Sequence, residues 1–531
     1  MKYILRFILF MMVLSPPVSA KQKQPHVKDP AAAAQSTQWN RPEVEDLDNE
    51  TTPAKPSNQE KSTTPEGADQ EARPPETNLF LPGSPEPVLS QTAGPEDPLK
   101  VGGVFYLRML SDARQGQGIR DFSFSTPMLV DTYLDARPND RVHAELVGRI
   151  TYDPTGNSYQ NIMMNTIPTS TTGSSSTSSS SSSPSPQFIL NQLWIRFDIA
   201  RTVFVAAGKQ NIKWGASHFW NPTDFLQPVR NPLEPFDVRT GTTMLKFHLP
   251  WEKLGWNFYA VALLEKPKPL QSLIAQTQNS SSTFTTFTLG NLGGAVRAEF
   301  VFSTFEIGAD FVARDGQRPK YGFDMSAGLD SLLHLPIDIY AEVALRHGSD
   351  TTRYRPVAVQ PYSLIEIGET HNPNKITPQV SCGLSWSTLY NDQDQIIVGG
   401  EYFYNSLGYS DNKLYPWLIA NGVFQPFYLG KHYAALYVSL PNPGSWDNTT
   451  FTLSGIGNLS DSSFVIRLDY SVLVLTYLKI EAYVAGYLGA PGGEFHFKIN
   501  TTALHAVYED IPLVNLPVPI IDVGLSLRID I

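Results

Sequence analysis

Segment after segment of this chain alternates apolar and polar residues one for one, and the polar row carries charges at mid-segment. In 336–347, Ile337, Ile339, Ala341, Val343 and Leu345 share one face, while Asp338, Tyr340, Glu342 and Arg346 share the other. In 304–314, Phe305, Ile307, Ala309 and Phe311 oppose Glu306, Asp310 and Arg314. The same division sets Val142, Ala144, Leu146 and Ile150 against Glu145 and Arg149, and Leu193, Ile195 and Phe197 against Arg196 and Asp198. It recurs in 464–475 around Arg467 and Asp469, in 291–303 around Arg297 and Glu299, and in 520–531 around Asp522 and Arg528. A period of two is the signature of a β-strand with unlike faces. No run of 18 apolar residues follows residue 20, so spanning helices are excluded.

Alternation alone does not say which face is buried. In a soluble sandwich the apolar row points inward; in a membrane barrel it meets lipid and the charges line a wet lumen. Three features choose the barrel. The segments run about 9–11 residues, the length a tilted strand needs to cross a bilayer. Aromatic pairs stand near segment ends, at Trp251 and Trp256, Tyr402 and Tyr404, Tyr433 and Tyr437, and Tyr483 and Tyr487. Such half-apolar rings suit a membrane–water boundary. The third feature is an export signal at the N-terminus. The expected fold class is therefore all-β, a transmembrane antiparallel β-barrel of about 14–18 strands.

Residues 1–20 combine Lys2 and Arg6 with an apolar run over 4–14 and the small residues Val18-Ser19-Ala20, which reads as a cleavable signal peptide. Residues 21–99 hold 7 Lys/Arg against 14 Asp/Glu and 13 prolines, with few large apolar side chains. That composition cannot offset the entropy of ordering, and the segment is expected to be a disordered periplasmic linker. It carries most of the formal charge of −11, so the acidic balance says little about the barrel at 100–531. No basic patch interleaved with aromatics suggests nucleic acid. Cys382 is the single cysteine, which rules out a disulfide within the chain. The Ser-rich run at 169–186 reads as a surface loop.

One connection stands out. Between the expected strands at 202–210 and 242–249, the chain reads NIKWGASHFWNPTDFLQPVRNPLEPFDVRT. Asn221-Pro222-Thr223-Asp224 is a turn signal, since Asn before Pro is held extended and Asp bonds the following backbone. Lys213, Asp224, Arg230, Glu234, Asp237 and Arg239 interleave opposite charges. Two readings stand: the connection folds into the lumen as a charged constriction, or it closes the barrel end as a salt-bridged loop. The lumen-facing candidates are Glu145, Arg149, Arg196, Asp198, Arg297, Glu299, Glu306, Asp310, Asp338, Glu342, Arg346, Arg467, Asp469, Asp522 and Arg528.

The pattern Gly208-Lys209-Gln210, Trp214-Gly215 and 219–224 (FWNPTD) resembles a segment of uncharacterised porin-like outer-membrane proteins of diderm bacteria, spirochaetes among them. The resemblance covers some 40 residues. It implies an outer-membrane location and a barrel fold, with contact to outer-membrane lipids and the barrel assembly machinery, and a homo-oligomer; the inward charges and inferred width point to small hydrophilic solutes. Barrels of this kind usually finish on an aromatic residue, whereas this sequence finishes on Ile531.

Catalytic readings find little footing. The ten His residues are scattered, without the HExxH or CxxC spacing that gathers metal ligands. No GxSxG or GxxxxGK[ST] motif occurs, and His218 beside Phe219 and Trp220 reads as a loop histidine packed on aromatics. No enzyme activity, cofactor or metal is expected. Two function classes remain: a diffusion channel for small hydrophilic solutes, and a surface adhesin or structural barrel with a blocked lumen.

Overall fold

The computed structural model describes residues 98–155, 185–227, 232–233, 240–265, 292–350, 353–358, 365–370, 375–391, 394–410, 412–420, 423–500 and 515–531. The signal peptide, nearly all of the linker and Ser-rich loop, and Arg230, Glu234, Asp237 and Arg239 lie outside these residues.

Eighteen strands form the wall. The first six are β1 (Leu99–Arg114), β2 (Met128–Asn139), β3 (Val142–Tyr152), β4 (Gln187–Ile199), β5 (Val203–Gln210) and β6 (Thr242–Trp251). Then come β7 (Trp256–Leu263), β8 (Gly293–Phe302), β9 (Phe305–Arg314), β10 (Lys320–Gly328), β11 (Ile337–His347) and β12 (Ile376–Leu389). The last six are β13 (Gln395–Asn405), β14 (His432–Pro441), β15 (Thr449–Asn458), β16 (Ser463–Leu475), β17 (Leu478–Gly489) and β18 (Pro519–Asp530). Each pairs antiparallel with its sequence neighbour, and β18 returns to β1 from Val104↔Asp530 to Arg114↔Pro519. The ring is closed, so no strand edge is left for hydrocarbon to desolvate. A short strand, Ser123–Ser125, extends the β1 pairing beyond the end of β2. β1 opens at Leu99, one residue inside the segment assigned to the linker from composition.

Burial settles which face is which. On β16, Arg467 is 6% exposed while its neighbours Ile466 and Leu468 are 44% and 48% exposed. On β11, Tyr340, Glu342 and Ala344 are buried and the apolar row from Ile337 to Leu345 is only half-buried. A water-soluble fold does the reverse, because exposed apolar area is costly in water. The apolar rows therefore face lipid. Among the described residues no helix is long and apolar enough to cross a membrane; the crossing is made by strands.

The two ends of the barrel differ. At one end the connections are 2–8 residues long, and both chain ends of the barrel lie there. The turn at Ser303, with φ of 49°, closes β8 onto β9 through Phe302↔Phe305. Around this end, outward-facing Trp251, Trp256, Phe258, Phe300, Phe302 and Phe305 form a chain of ring contacts at 5.0–6.5 Å, part of an aromatic girdle. The strand ends that are joined by the long connections, including 153–186, 211–241, 264–292, 348–375, 406–431 and 490–518, lie at the other end.

One expectation is corrected here. Tyr433, Tyr437, Tyr483 and Tyr487 do not sit in the girdle. Register places Tyr433 beside Phe403, Tyr437 beside Ser454, Tyr483 beside Asp469 and Tyr487 beside Val465, all on the luminal row. Their rings pack in the barrel interior because that arc of the lumen is filled by chain.

Candidate functional site: an inward connection pinned at mid-depth

The described residues of the connection between β5 and β6, 211–227 and 232–233, enter the lumen. Its near side packs Trp214 and Leu226 against Met244, Val261, Leu263, Ala295 and Val312, on the walls of β6 to β9. Its far side packs Phe219, Trp220 and Leu233 with Phe403, Tyr433, Tyr437, Ile456, Val465 and Tyr483, on β13 to β17. Trp220 stacks on Phe403 at 5.5 Å, and its Nε1 donates to the carbonyl of Phe427 at 2.9 Å. At the far wall, Arg467 donates to the carbonyl of Leu233 at 2.7 Å.

Two wall carboxylates hold the crossing. Glu401 accepts the backbone N–H groups of His218, Phe219 and Trp220 at 2.8, 3.0 and 2.7 Å. It also accepts the hydroxyls of Ser381 at 2.9 Å and Tyr340 at 3.1 Å. Glu342 accepts the N–H of Ser217 at 2.5 Å, and the N–H and hydroxyl of Thr223 at 3.2 and 2.8 Å. Glu342 is the sixth of eleven residues on β11 and Glu401 the seventh of eleven on β13, so the anchors lie near half-height. Charged acceptors make the stronger hydrogen bonds, and an apolar-walled interior strengthens them further.

The local sequence explains the path. The Asn221 carbonyl accepts the Asp224 N–H at 3.2 Å, the turn expected from the NPTD sequence. Gly215 has φ of 90°, and a Cβ there would strike Asn221, Thr223 and Glu342. We expect Gly215→Val to displace the turn and weaken folding by about 1–3 kcal/mol, measurable by urea unfolding in detergent micelles. His218 lies against Tyr340, ring centroids 4.4 Å apart, a packed loop histidine.

Register places the fifteen candidate lumen residues on the luminal row and groups them. Arg149 makes a two-point pair with Asp131, both contacts 2.6 Å. Arg196 approaches His143 Nδ1 at 3.5 Å, and Asp198 pairs with Arg141 at 2.9 Å. Arg297 is shared by Glu299 (2.7 Å), Asp310 (3.3 Å) and Asp324 (2.6 Å), with the Trp214 ring 5.7 Å away. Arg346 bonds Gln379. Arg467 pairs with Asp469 at 2.8 Å and lies 3.8 Å over the Tyr483 ring, whose hydroxyl reaches Asp522 at 3.3 Å. Arg528 pairs with Asp530 at 2.7 Å. Glu145 lies opposite Asp135 and Trp194. Glu306 and Asp338 are exposed near the short-turn mouth. Of the candidate constriction residues, Lys213 and Asp224 are half-buried in the crossing.

Functional residues absent from the sequence-based candidates include Glu401, Asp131 and Asp324. Asp131 and Asp324 obey the same alternation as their partners and are readable from it. Glu401 sits in QIIVGGEYFYN, where the glycines blur the apolar row; its parity against Tyr402 and Tyr404 is the available signal.

A second cluster closes the long-loop end over the same arc. Leu414, Tyr415, Leu418 and Leu429 pack with Tyr354, Tyr409, Phe424 and Phe497, Tyr415 and Leu418 coming from a short helix, Tyr415–Ala420. Beneath it, Glu494 accepts the Tyr433 hydroxyl at 2.6 Å, the Asn458 amide at 2.8 Å and the Phe427 N–H. Burial raises the Glu494 carboxyl to about 8, outweighing the hydrogen bonds that lower it. An acid raised on folding binds its proton more tightly in the native state. Its contribution is therefore intact below the ordinary carboxylate range and lost as pH rises toward 8. We expect amide-exchange protection of 423–431 to fall between pH 5 and 8, and Glu494→Gln to flatten that profile.

Among the described residues, no group of three or more His, Cys, Asp or Glu side chains is arranged to hold a metal ion. No protein-family model matches the chain, and no curated protein matches it. Several solved structures are similar in shape. Acinetobacter baumannii OccAB1 aligns at 11% identity, TM-score 0.45, over 83% of this chain and 98% of that one. Pseudomonas aeruginosa OccK5 (OpdH) aligns at 9% identity and TM-score 0.44, over 82% and 98%. A Rhodopseudomonas blastica porin triple mutant aligns at 9% identity and TM-score 0.35, over 82% and 100%. The barrel assignment stands on its own pairing register and burial rather than on these likenesses.

Proposed function

We propose that the protein is an outer-membrane, porin-like channel for diffusion of small hydrophilic solutes, with its passage set off-centre. The observation that carries this reading is the uneven filling of the lumen. From β11 to β16 the luminal side chains are mostly buried under the inward connection, whereas those of β2 to β4 are mostly half-buried. That freer arc presents Asp131, Asp135, Glu145, Arg149 and Arg196, a mixed row of charges suited to hydrated solutes. Side chains of both signs at a narrow point sort ions by close-range electrostatics. A closed barrel with an apolar outer band supports an outer-membrane site, as does the export signal expected from the sequence; a homo-oligomer is implied by the sequence resemblance alone.

Full-length protein refolded into planar bilayers is expected to give stepwise conductance. Neutralising Asp224, Glu234 and Asp237 together is expected to move the reversal potential under a salt gradient toward anion preference. An unchanged reversal potential would remove these residues from the constriction. The aromatic packing of Phe427 and Phe495 above the luminal cluster favours a second reading, a blocked structural or adhesive barrel. A persistent lack of conductance steps from correctly folded protein would select it.

A further inference from the structure

Phe427 touches both the cluster at the long-loop end and the crossing at mid-depth. Its N–H donates to Glu494, and its carbonyl accepts Trp220 Nε1 at 2.9 Å. Its ring packs on Phe495 at 5.2 Å, within the luminal cluster that holds Phe219 and Trp220. The chain here reads Gln425-Pro426-Phe427-Tyr428, and the Tyr428 N–H closes a turn on the Gln425 carbonyl at 3.2 Å. Proline suits the second position of such a turn. Phe427 stands third with φ of 68°, where a type II turn ordinarily places glycine. A bulky side chain is strained in that conformation and keeps it only where surrounding contacts over-determine it. The two peptide groups of Phe427 supply those contacts, one to Glu494 and one to Trp220.

Of the two contacts, the one to Glu494 responds to protons. Glu494 is buried, and the Asn458 amide nitrogen that it accepts at 2.8 Å also donates to Asp461 at 3.0 Å, so two carboxylates share one nitrogen. The titratable groups facing Glu494 are Asp461 from the β15–β16 turn, Tyr433 from β14 and Tyr415 from the short helix. None of the three is a cation. A buried carboxylate beside another is drawn toward water once ionised. Burial raises this carboxyl to about 8, so the closed arrangement is intact in acid and weakens as pH rises toward that value.

We propose that Phe427 couples the long-loop cluster to the inward connection. While Glu494 holds its N–H, the strained turn presents the Phe427 carbonyl to Trp220. When that hold is lost, Phe427 relaxes to negative φ and releases the indole. Trp220 keeps its backbone bond to Glu401 and its stack on Phe403, so the crossing loosens at its far side without leaving the lumen. A change of pH at the loops is thereby felt at the crossing. The coupling is read without current, and it stands or falls apart from the channel reading.

The test uses full-length protein, isotopically labelled at its tryptophan indoles and refolded in detergent. Of the nine indole N–H resonances, the one missing from Trp220→Phe belongs to Trp220. Between about pH 5 and 8 that resonance should shift, while 423–431 loses amide-exchange protection. Its solvent exchange should rise about two- to tenfold beyond the intrinsic effect of pH, the worth of one net hydrogen bond. Glu494→Gln should hold the indole and 423–431 unchanged across the same range. Tyr433→Phe repeats the test should Glu494→Gln misfold: it removes one donor to the carboxylate and should move the change to higher pH. A Trp220 indole that stays fixed while 423–431 opens would overturn the coupling, and so would a wild type in which neither responds. The wild-type pH response retained in either folded variant would remove Glu494 as the trigger and overturn it as well.

Discussion

Glu401→Leu is expected to leave the barrel folded and to enlarge its single-channel conductance at least twofold, with added flicker. The carboxylate holds five donors, three of them consecutive backbone N–H groups of the crossing. A hydrogen bond to a charged group contributes about 1.5–3 kcal/mol, so these bonds together outweigh either apolar anchor, Phe219 or Trp220, at about 1.5–3 kcal/mol each. With leucine in place, 218–220 would keep three buried N–H groups without an acceptor. The segment relieves that cost by leaving the wall for water, which opens the lumen. The strands are untouched, because their ladder does not pass through the Glu401 side chain. The checks are planar-bilayer recording and the heat-modifiable gel mobility that reports an intact barrel. Wild-type conductance from a folded Glu401→Leu protein would mean that the crossing does not set the width of the passage.

The second large effect compares two adjacent residues of β3. Leu146 belongs to the outward row with Ala144 and Ile150, and Val147 to the luminal row with Glu145 and Arg149. Arginine on the lipid face near the bilayer midplane costs about 2–4 kcal/mol, while a luminal arginine is hydrated. Leu146→Arg should therefore lose about that much stability in urea unfolding from lipid vesicles. Val147→Arg, one position along, should lie within about 1 kcal/mol of wild type. Equal losses, or a larger loss at Val147, would contradict the assignment of faces. Because a strand's side-chain period is two, this single-residue step samples the orientation of the whole strand.

Much of the wall is legible in the amino-acid sequence. The alternation marks β8, β9, β11, β16 and β18 to within two residues, because a wall with lipid on one side and water on the other imposes a strict period of two. Asp310, Glu342 and Arg467 fall on the luminal row from parity alone. The tyrosines at 433, 437, 483 and 487 mislead for a physical reason. A ring at a strand end looks alike whether it faces a headgroup or a packed interior, and only the inward connection makes the latter available.

The candidate site is legible only in outline. The NPTD turn is a local property of adjacent residues, whereas the need for glycine at 215 rests in part on the distant Glu342. What the turn binds is not local: Glu342 and Glu401 lie 119 to 183 residues further along the chain. Sequence alone thus determined the strands, their faces and the shape of the turn, since each depends on steric and hydrophobic rules acting over a few neighbouring residues. Closure of the ring at β1 and β18, and the choice between a loop that caps the barrel and one that crosses it, were decided by tertiary structure. Closure brings distant carboxylates to face one another across the lumen, and only then do the unpaired backbone groups of 217–223 find acceptors inside the barrel rather than in water.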